Sequence, residues 1–122
     1  MIHDGARALI DVDTINKTIE EVIKKDAVVV GVKSKDTIKL SDDNGVVSST
    51  TIRTHTWVVQ TPQAFDVTSI KNAYKQMYND IIANGEKVSS IITDDSMVME
   101  RYGKKKIYMM EGDYDNIKIT TP

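Results

Sequence analysis

Cysteine is missing altogether from these 122 residues. Its absence excludes disulfides and thiolate metal sites and is compatible with a reducing cytosol, so a cytoplasmic location is the expectation. Histidine is scarce. His3 and His55 lie far apart and no H-E-x-x-H pairs them, which makes a poor set for a metal. The six glycines form neither G-x-G-x-x-G nor G-x-x-x-x-G-K-[ST], so no general phosphate-cradling loop is present. G-x-S-x-G, the serine-hydrolase elbow, is absent too. Neither sign of charge dominates: 16 Lys and Arg stand against 18 Asp and Glu. That leaves no basic footprint for nucleic acid. The longest clear apolar run, AVVVGV at 27–32, is far too short to span a bilayer, and the start of the chain carries no cationic-apolar signal pattern. No repeat, low-complexity tract or Pro/Gly/Ser linker divides the chain, which fits one domain or part of one.

What is present alternates. Asp11 or Asp13 is placed to cap a helix running to about Lys25, with Ile15, Ile19, Val22 and Ile23 on one apolar stripe. Ala27–Val32 is β-branched and apolar throughout, as in a strand covered on both faces of a parallel sheet. Met1 and Ile2 read as the last residues of a buried strand, which makes strand, helix, strand a βαβ unit with a right-handed crossover. Thr37–Leu40 and Val46–Ser49 flank Asp42-Asp43-Asn44-Gly45, a strong hairpin signal. This hairpin has little to bury and is expected to project from the core. A short strand Trp57–Gln60 follows. A second helix is expected from about Thr68 to Asn84, burying Ile70, Ala73, Tyr74, Met77, Ile81 and, at the edge of that face, Ile82, with Gly85 ending it. A third starts near Thr93-Asp94-Asp95 and ends at Gly103. Lys106–Glu111 and Ile117–Thr120 read as strands. The fold class is therefore α/β, a mostly parallel sheet flanked by helices, with a projecting arm at about 33–56.

In open α/β sheets, ligands bind beyond the carboxyl ends of the strands. Asp4 and Arg7 follow the first strand, Thr61 follows the Trp57 strand, and Lys118 lies past a polar loop. Arg and Lys suit phosphate oxygens, and Asp accepts hydrogen bonds from polyol hydroxyls. Each has a bland reading beside it. Asp4 and Arg7 form a loop ion pair, Arg53 is a solvated loop residue, Lys118 faces outward from a strand, and His3 is structural. Thr93-Asp94-Asp95 is a helix N-cap with acids that suit the helix dipole. From the residues alone the reading ends at an α/β domain with phosphate-compatible loops.

Five stretches in order go further: IHDGAR, KDTIK, Arg53 with WVVQTPQAF, TDDSMVME and EGDYDNIKITTP. The series resembles the C-terminal half of the 2-C-methyl-D-erythritol 4-phosphate cytidylyltransferases of the non-mevalonate isoprenoid pathway. The ribitol-5-phosphate cytidylyltransferases are similar and share H-D-G-x-R, which makes ribitol phosphate the alternative acceptor. Ala8 stands where the family usually has proline.

The resemblance implies a partial Rossmann-like nucleotidyltransferase fold. Its N-terminal strands and glycine-rich CTP loop would be missing, and the chain would be cut short at both ends. Asp4, Arg7 and Thr61 would hold the polyol phosphate. Thr37 and Arg53, on or beside the arm, would reach the partner's site in a homodimer. Lys118 would lie near the reacting phosphates, with Arg53 and Lys118 as the catalytic cations. CTP and the polyol phosphate are the implied ligands, with Mg2+ held mainly by CTP. No nucleic acid or membrane partner is implied, and the chain alone would be inactive or serve as a dimerising module.

Overall fold

The computed structural model describes residues 1–85 and 89–120. The last two residues of EGDYDNIKITTP therefore lie outside the described residues. Three helices and five strands follow in the order α1 (Val12–Lys25), β1 (Ala27–Lys33), β2 (Lys39–Ser41), β3 (Val47–Thr50), β4 (Trp57–Phe65), α2 (Val67–Asn84), α3 (Asp95–Tyr102) and β5 (Tyr108–Glu111).

The centre is β1. Ala27, Val28, Val29, Val30 and Val32 are all buried. Each buried valine contributes roughly 1.5–3 kcal/mol of hydrophobic stabilisation relative to exposure. Both edges of β1 are paired, β4 antiparallel on one side and β5 parallel on the other. The three-stranded sheet, in order β4-β1-β5, is therefore mixed where a mostly parallel one was expected. The reason lies in β4. It runs to Phe65, five residues past the expected end at Gln60, and its inward residues Gln63, Ala64 and Phe65 pair back along β1.

Close approach sets two glycines in this layer. A Cβ at Gly31 would stand 2.8 Å from Met109 Cε and 2.9 Å from the Val58 carbonyl; one at Gly112 would stand 2.5 Å from Val30 Cγ1 and 2.7 Å from Gln60 Oε1.

Helices α2 and α3 pack against each other and close the core. Ala73, Met77, Val98 and Met99 are buried with Ala27, Val29 and Phe65, and Ile70, Tyr74 and Ile81 lie partly buried against them, whereas Ile82, expected at the edge of this face, is exposed. Side-chain caps define the helix starts: Asp66 accepts from Ser69 N and Asp94 from Met97 N. Gly85, at φ 79°, ends α2 as expected.

Three expectations need correction. Helix α1 starts at the Asp11 cap, yet it buries Thr14 and Thr18 and leaves Ile19 43% and Ile23 77% exposed. Threonine tolerates this burial because the Thr18 hydroxyl donates to the Thr14 carbonyl at 2.7 Å. Met1 and Ile2 are exposed and form no strand. Ile2 makes a single antiparallel bridge to Gln63 of β4, so the supposed βαβ neighbour of β1 lies beyond β4 instead. Residues 117–120 are not a strand either. Ile117 and Ile119 are exposed, and the segment is tied to the first loop by Ile119 N donating to the Ala6 carbonyl at 2.8 Å.

The hairpin is present. Strands β2 and β3 form their own two-stranded sheet, exposed at every residue, around a turn with Gly45 at φ 79°. Among the described residues no helix is long and apolar enough to cross a membrane.

Gly112→Ala is expected to lower stability by about 1–3 kcal/mol, the usual range for overpacking, because Val30 is held in the sheet and cannot yield. Urea unfolding checks this; an unchanged midpoint would show that the approach of Gly112 to β1 is looser than 2.5 Å implies.

Candidate functional site

Four of the six candidate residues come together. Asp4, Arg7, Thr61 and Lys118 line one open cavity of about 300 Å³, with Asp94 and Asp95 on its opposite wall. The elements that deliver them differ. The first loop carries Asp4 and Arg7, the middle of β4 carries Thr61, and the segment after β5 carries Lys118.

The loop is fastened to β4 by hydrogen bonds. Ile2 and Gln63 exchange both backbone bonds, at 2.8 and 2.9 Å. Asp4 N donates to Thr61 Oγ1 at 3.0 Å. The Thr61 hydroxyl proton is then free to go to His3 Nδ1 at 2.9 Å, and His3 Nε2 faces the Arg7 carbonyl at 3.1 Å. The Nε2–H tautomer satisfies both contacts. His3 is thus structural, as its bland reading held.

The expected Asp4–Arg7 pair is the weaker one, with Arg7 Nε 4.0 Å from Asp4 Oδ2. Arg7 instead donates through Nη1 to the Asn116 carbonyl at 2.7 Å, and its side chain is only 11% exposed. Asp4's close partner is Lys118, whose Nζ lies 2.9 Å from Oδ2. The bond from Lys118 holds the Asp4 carboxyl below the usual carboxylate range, against an opposing effect of burial.

The opposite wall is occupied by its own contacts. Asp94 caps α3 and accepts from Gln63 Nε2 at 3.0 Å and from the Ser96 hydroxyl. Asp95 accepts from the Tyr74 hydroxyl, whose pKa burial and this carboxylate push up. The cavity therefore offers an Asp–Lys pair that a ligand can open, a half-buried guanidinium, and a threonine whose hydroxyl is committed to Asp4 N and His3. That inventory suits a ligand that carries hydroxyls and negative charge.

Thr37 and Arg53 are elsewhere. They meet each other at the foot of the arm, with Arg53 Nη2 donating to Thr37 Oγ1 at 3.0 Å, both exposed, and neither lines the cavity. Sequence reasoning missed three buried polar side chains: Gln63, which joins β4 to Asp94 and Ser96, and Gln60 and Asn116, which join β4 to the segment after β5. The available signal was chemical: a glutamine inside an apolar strand must find buried partners.

The whole chain, residues 1–122, matches the family described as IspD, 2-C-methyl-D-erythritol 4-phosphate cytidylyltransferase. It is 45% identical over 122 residues to the enzyme of that name from Lachnoclostridium phytofermentans, covering 100% of this chain and 49% of the relative. For the Clostridioides difficile enzyme the identity is 44%, covering 100% of this chain and 47% of the relative. Among solved structures, 4-diphosphocytidyl-2C-methyl-D-erythritol synthase from Anaerococcus prevotii superposes with TM-score 0.80 at 39% identity, over 98% of this chain and 51% of that one. The Francisella tularensis 2-C-methyl-D-erythritol 4-phosphate cytidylyltransferase also gives 0.80, at 26% identity, over 98% and 52%. The chain spans about half the length of these relatives.

Lys118→Ala is expected to raise the titration midpoint of the Asp4 carboxyl towards the usual aspartate value of about 3.9. Because the folded pKa is depressed, the pair's contribution to stability is present above the unfolded pKa and lost as pH falls through the folded one. Carboxyl carbon-13 NMR across an acid titration follows this, and an unmoved midpoint would mean that the pair does not form in solution.

Proposed function

The chain belongs to the 2-C-methyl-D-erythritol 4-phosphate cytidylyltransferase family, and from that premise we propose that it supplies the acceptor-binding part of such an enzyme. In this reading the complete enzyme moves CMP from CTP to 2-C-methyl-D-erythritol 4-phosphate. An acceptor phosphate oxygen bonds to the α-phosphorus, the α–β phosphoanhydride bond breaks, and pyrophosphate leaves. The convergence of Asp4, Arg7, Thr61 and Lys118 on one cavity carries the proposal. The names of the similar proteins favour methylerythritol phosphate over ribitol phosphate as acceptor.

Each residue has a task. Asp4 and Thr61 hold acceptor hydroxyls. Arg7, anchored by the Asn116 carbonyl, presents fixed positive charge. Lys118 leaves Asp4 as the acceptor's hydroxyl takes the carboxylate, and its ammonium turns to the reacting phosphates. Two anions must approach, so catalysis is positioning and charge stabilisation. Among the described residues no group of three or more His, Asp or Glu could hold a metal ion, so in this reading Mg2+ arrives on the CTP phosphates.

The cavity's own charge is a further argument. Two cations face three carboxylates there, too little for a dianionic phosphate. Arg53 and Thr37 are already paired on an exposed arm, and a second copy presenting them would supply the missing cation. A homodimer through the arm and a cytoplasmic location belong to the same proposal.

Two outcomes follow. The 122-residue chain, with no glycine-rich phosphate loop of its own, is expected to release no pyrophosphate from CTP above the level of its Lys118→Ala variant; clear release would contradict the division of labour proposed here. In the complete enzyme, Arg53→Ala should lower kcat/KM for the acceptor about ten- to a hundredfold, as loss of a charge-assisted bond worth roughly 1.5–3 kcal/mol implies. Mixing Arg53→Ala with Asp4→Ala subunits should give heterodimers with one intact site each, so an equimolar mixture with free exchange recovers towards about a quarter of wild-type activity. No recovery despite proven subunit exchange would place Arg53 in its own subunit's site.

A further inference from the structure

Asn116 is 1% exposed and sits two residues before Lys118 in a segment with no regular secondary structure. Its carboxamide nitrogen donates to the Thr61 carbonyl at 2.9 Å and reaches Gln60 Oε1 at 3.3 Å. Two acceptors on that side fix the amide's orientation and leave Asn116 Oδ1 buried without a partner among the described residues. Its backbone carbonyl takes the 2.7 Å bond from Arg7 Nη1. Gln60 completes the turn by donating to the Asp113 carbonyl at 2.8 Å. Beyond Asn116, Lys118 meets Asp4 and Ile119 N meets the Ala6 carbonyl.

These contacts close a ring. Asp4 N bonds the hydroxyl of Thr61, the carbonyl of Thr61 bonds the side chain of Asn116, and the chain from Asn116 leads in two residues to Lys118, which returns to Asp4. Segment 116–119 has no sheet or helix to place it, so the one buried side-chain anchor it owns sets where Lys118 lies. We propose that Asn116 is a positioning residue: its carboxamide, seated on Thr61 and Gln60, sets the distances of Lys118 and Arg7 from the Thr61 wall. The inference deepens the acceptor-site reading and rests on it for its consequence, weaker acceptor binding when the anchor is lost. Its geometric content concerns the ring alone and stands apart from any substrate. A residue that merely stabilised the turn would lower the unfolding midpoint and leave the Asp4–Lys118 pair of the folded protein as it was.

The test uses Asn116→Leu, close to asparagine in shape and uncharged, so that no new charge acts on Asp4, and Gln60→Met, which keeps Asn116 but removes one of its two acceptors. Both are made in the 122-residue chain. Two readouts are taken on protein with native circular dichroism: the Asp4 carboxyl titration by carbon-13 NMR, and calorimetric binding of 2-C-methyl-D-erythritol 4-phosphate. Asn116→Leu is expected to move the Asp4 midpoint upward and to weaken acceptor binding about tenfold, the scale of one buried hydrogen bond, with Gln60→Met smaller in the same direction. An Asp4 midpoint identical to wild type in folded Asn116→Leu overturns the proposal. Should that variant fail to fold, an unmoved midpoint in Gln60→Met does so. If the wild-type chain binds no acceptor while the midpoint shifts, the ring is confirmed and the acceptor-site reading fails. If the wild type binds and Asn116→Leu binds equally well, the reading survives and the positioning role is lost.

Discussion

Everything in this chain is arranged around the need to cover β1. A strand of Ala27 and four valines has no face to offer water, so it requires neighbours on both edges and packing on both faces. Strands β4 and β5 supply the edges, and α2 and α3 join Phe65 and Met109 over the hydrophobic cluster. Gly31 and Gly112 allow the flanking chains to come close enough. Because β4 is held along β1 as far as Phe65, Thr61 and Gln63 are fixed in space, and they become the wall to which the polar loops attach.

The cavity is built on that wall by polar groups, without a strand end pointing at a ligand. Backbone bonds from Ile2, a bond from Asp4 to the Thr61 hydroxyl, and bonds from Asn116 and Gln60 lace two irregular segments to β4. Buried polar groups of this kind carry a desolvation cost unless every partner is in place, which makes the arrangement specific. The two exceptions among the described residues, Arg7 Nε and Asn116 Oδ1, both lie at this junction. The arm is the opposite case. Its two strands form a sheet of their own, and Leu40, Val46 and Val47 on it are exposed.

Local patterns made the secondary structure legible. Asp11 and Asp94 as caps, Gly85 as a terminator and Asp42–Gly45 as a turn act through neighbours in sequence, so their outcome is decided within a few residues. The valine run announced a buried central strand for the same reason. The ordered motifs likewise carried the family membership, and with it the four residues that share the cavity.

What the residues could not determine by themselves was which surfaces meet. The spacing of Ile15, Ile19, Val22 and Ile23 makes an apolar stripe, but periodicity names no partner, and the helix lies on the sheet through Thr14 and Thr18 instead. The direction of β4 relative to β1, the choice of Lys118 over Arg7 as the partner of Asp4, and the seat of Asn116 against Thr61 all join residues roughly forty or more positions apart at their widest, where no local preference acts. Backbone chemistry and side-chain pattern settled the pieces. Only closing the chain on itself decided the contacts, because the energy of each depends on water being excluded from both partners at once.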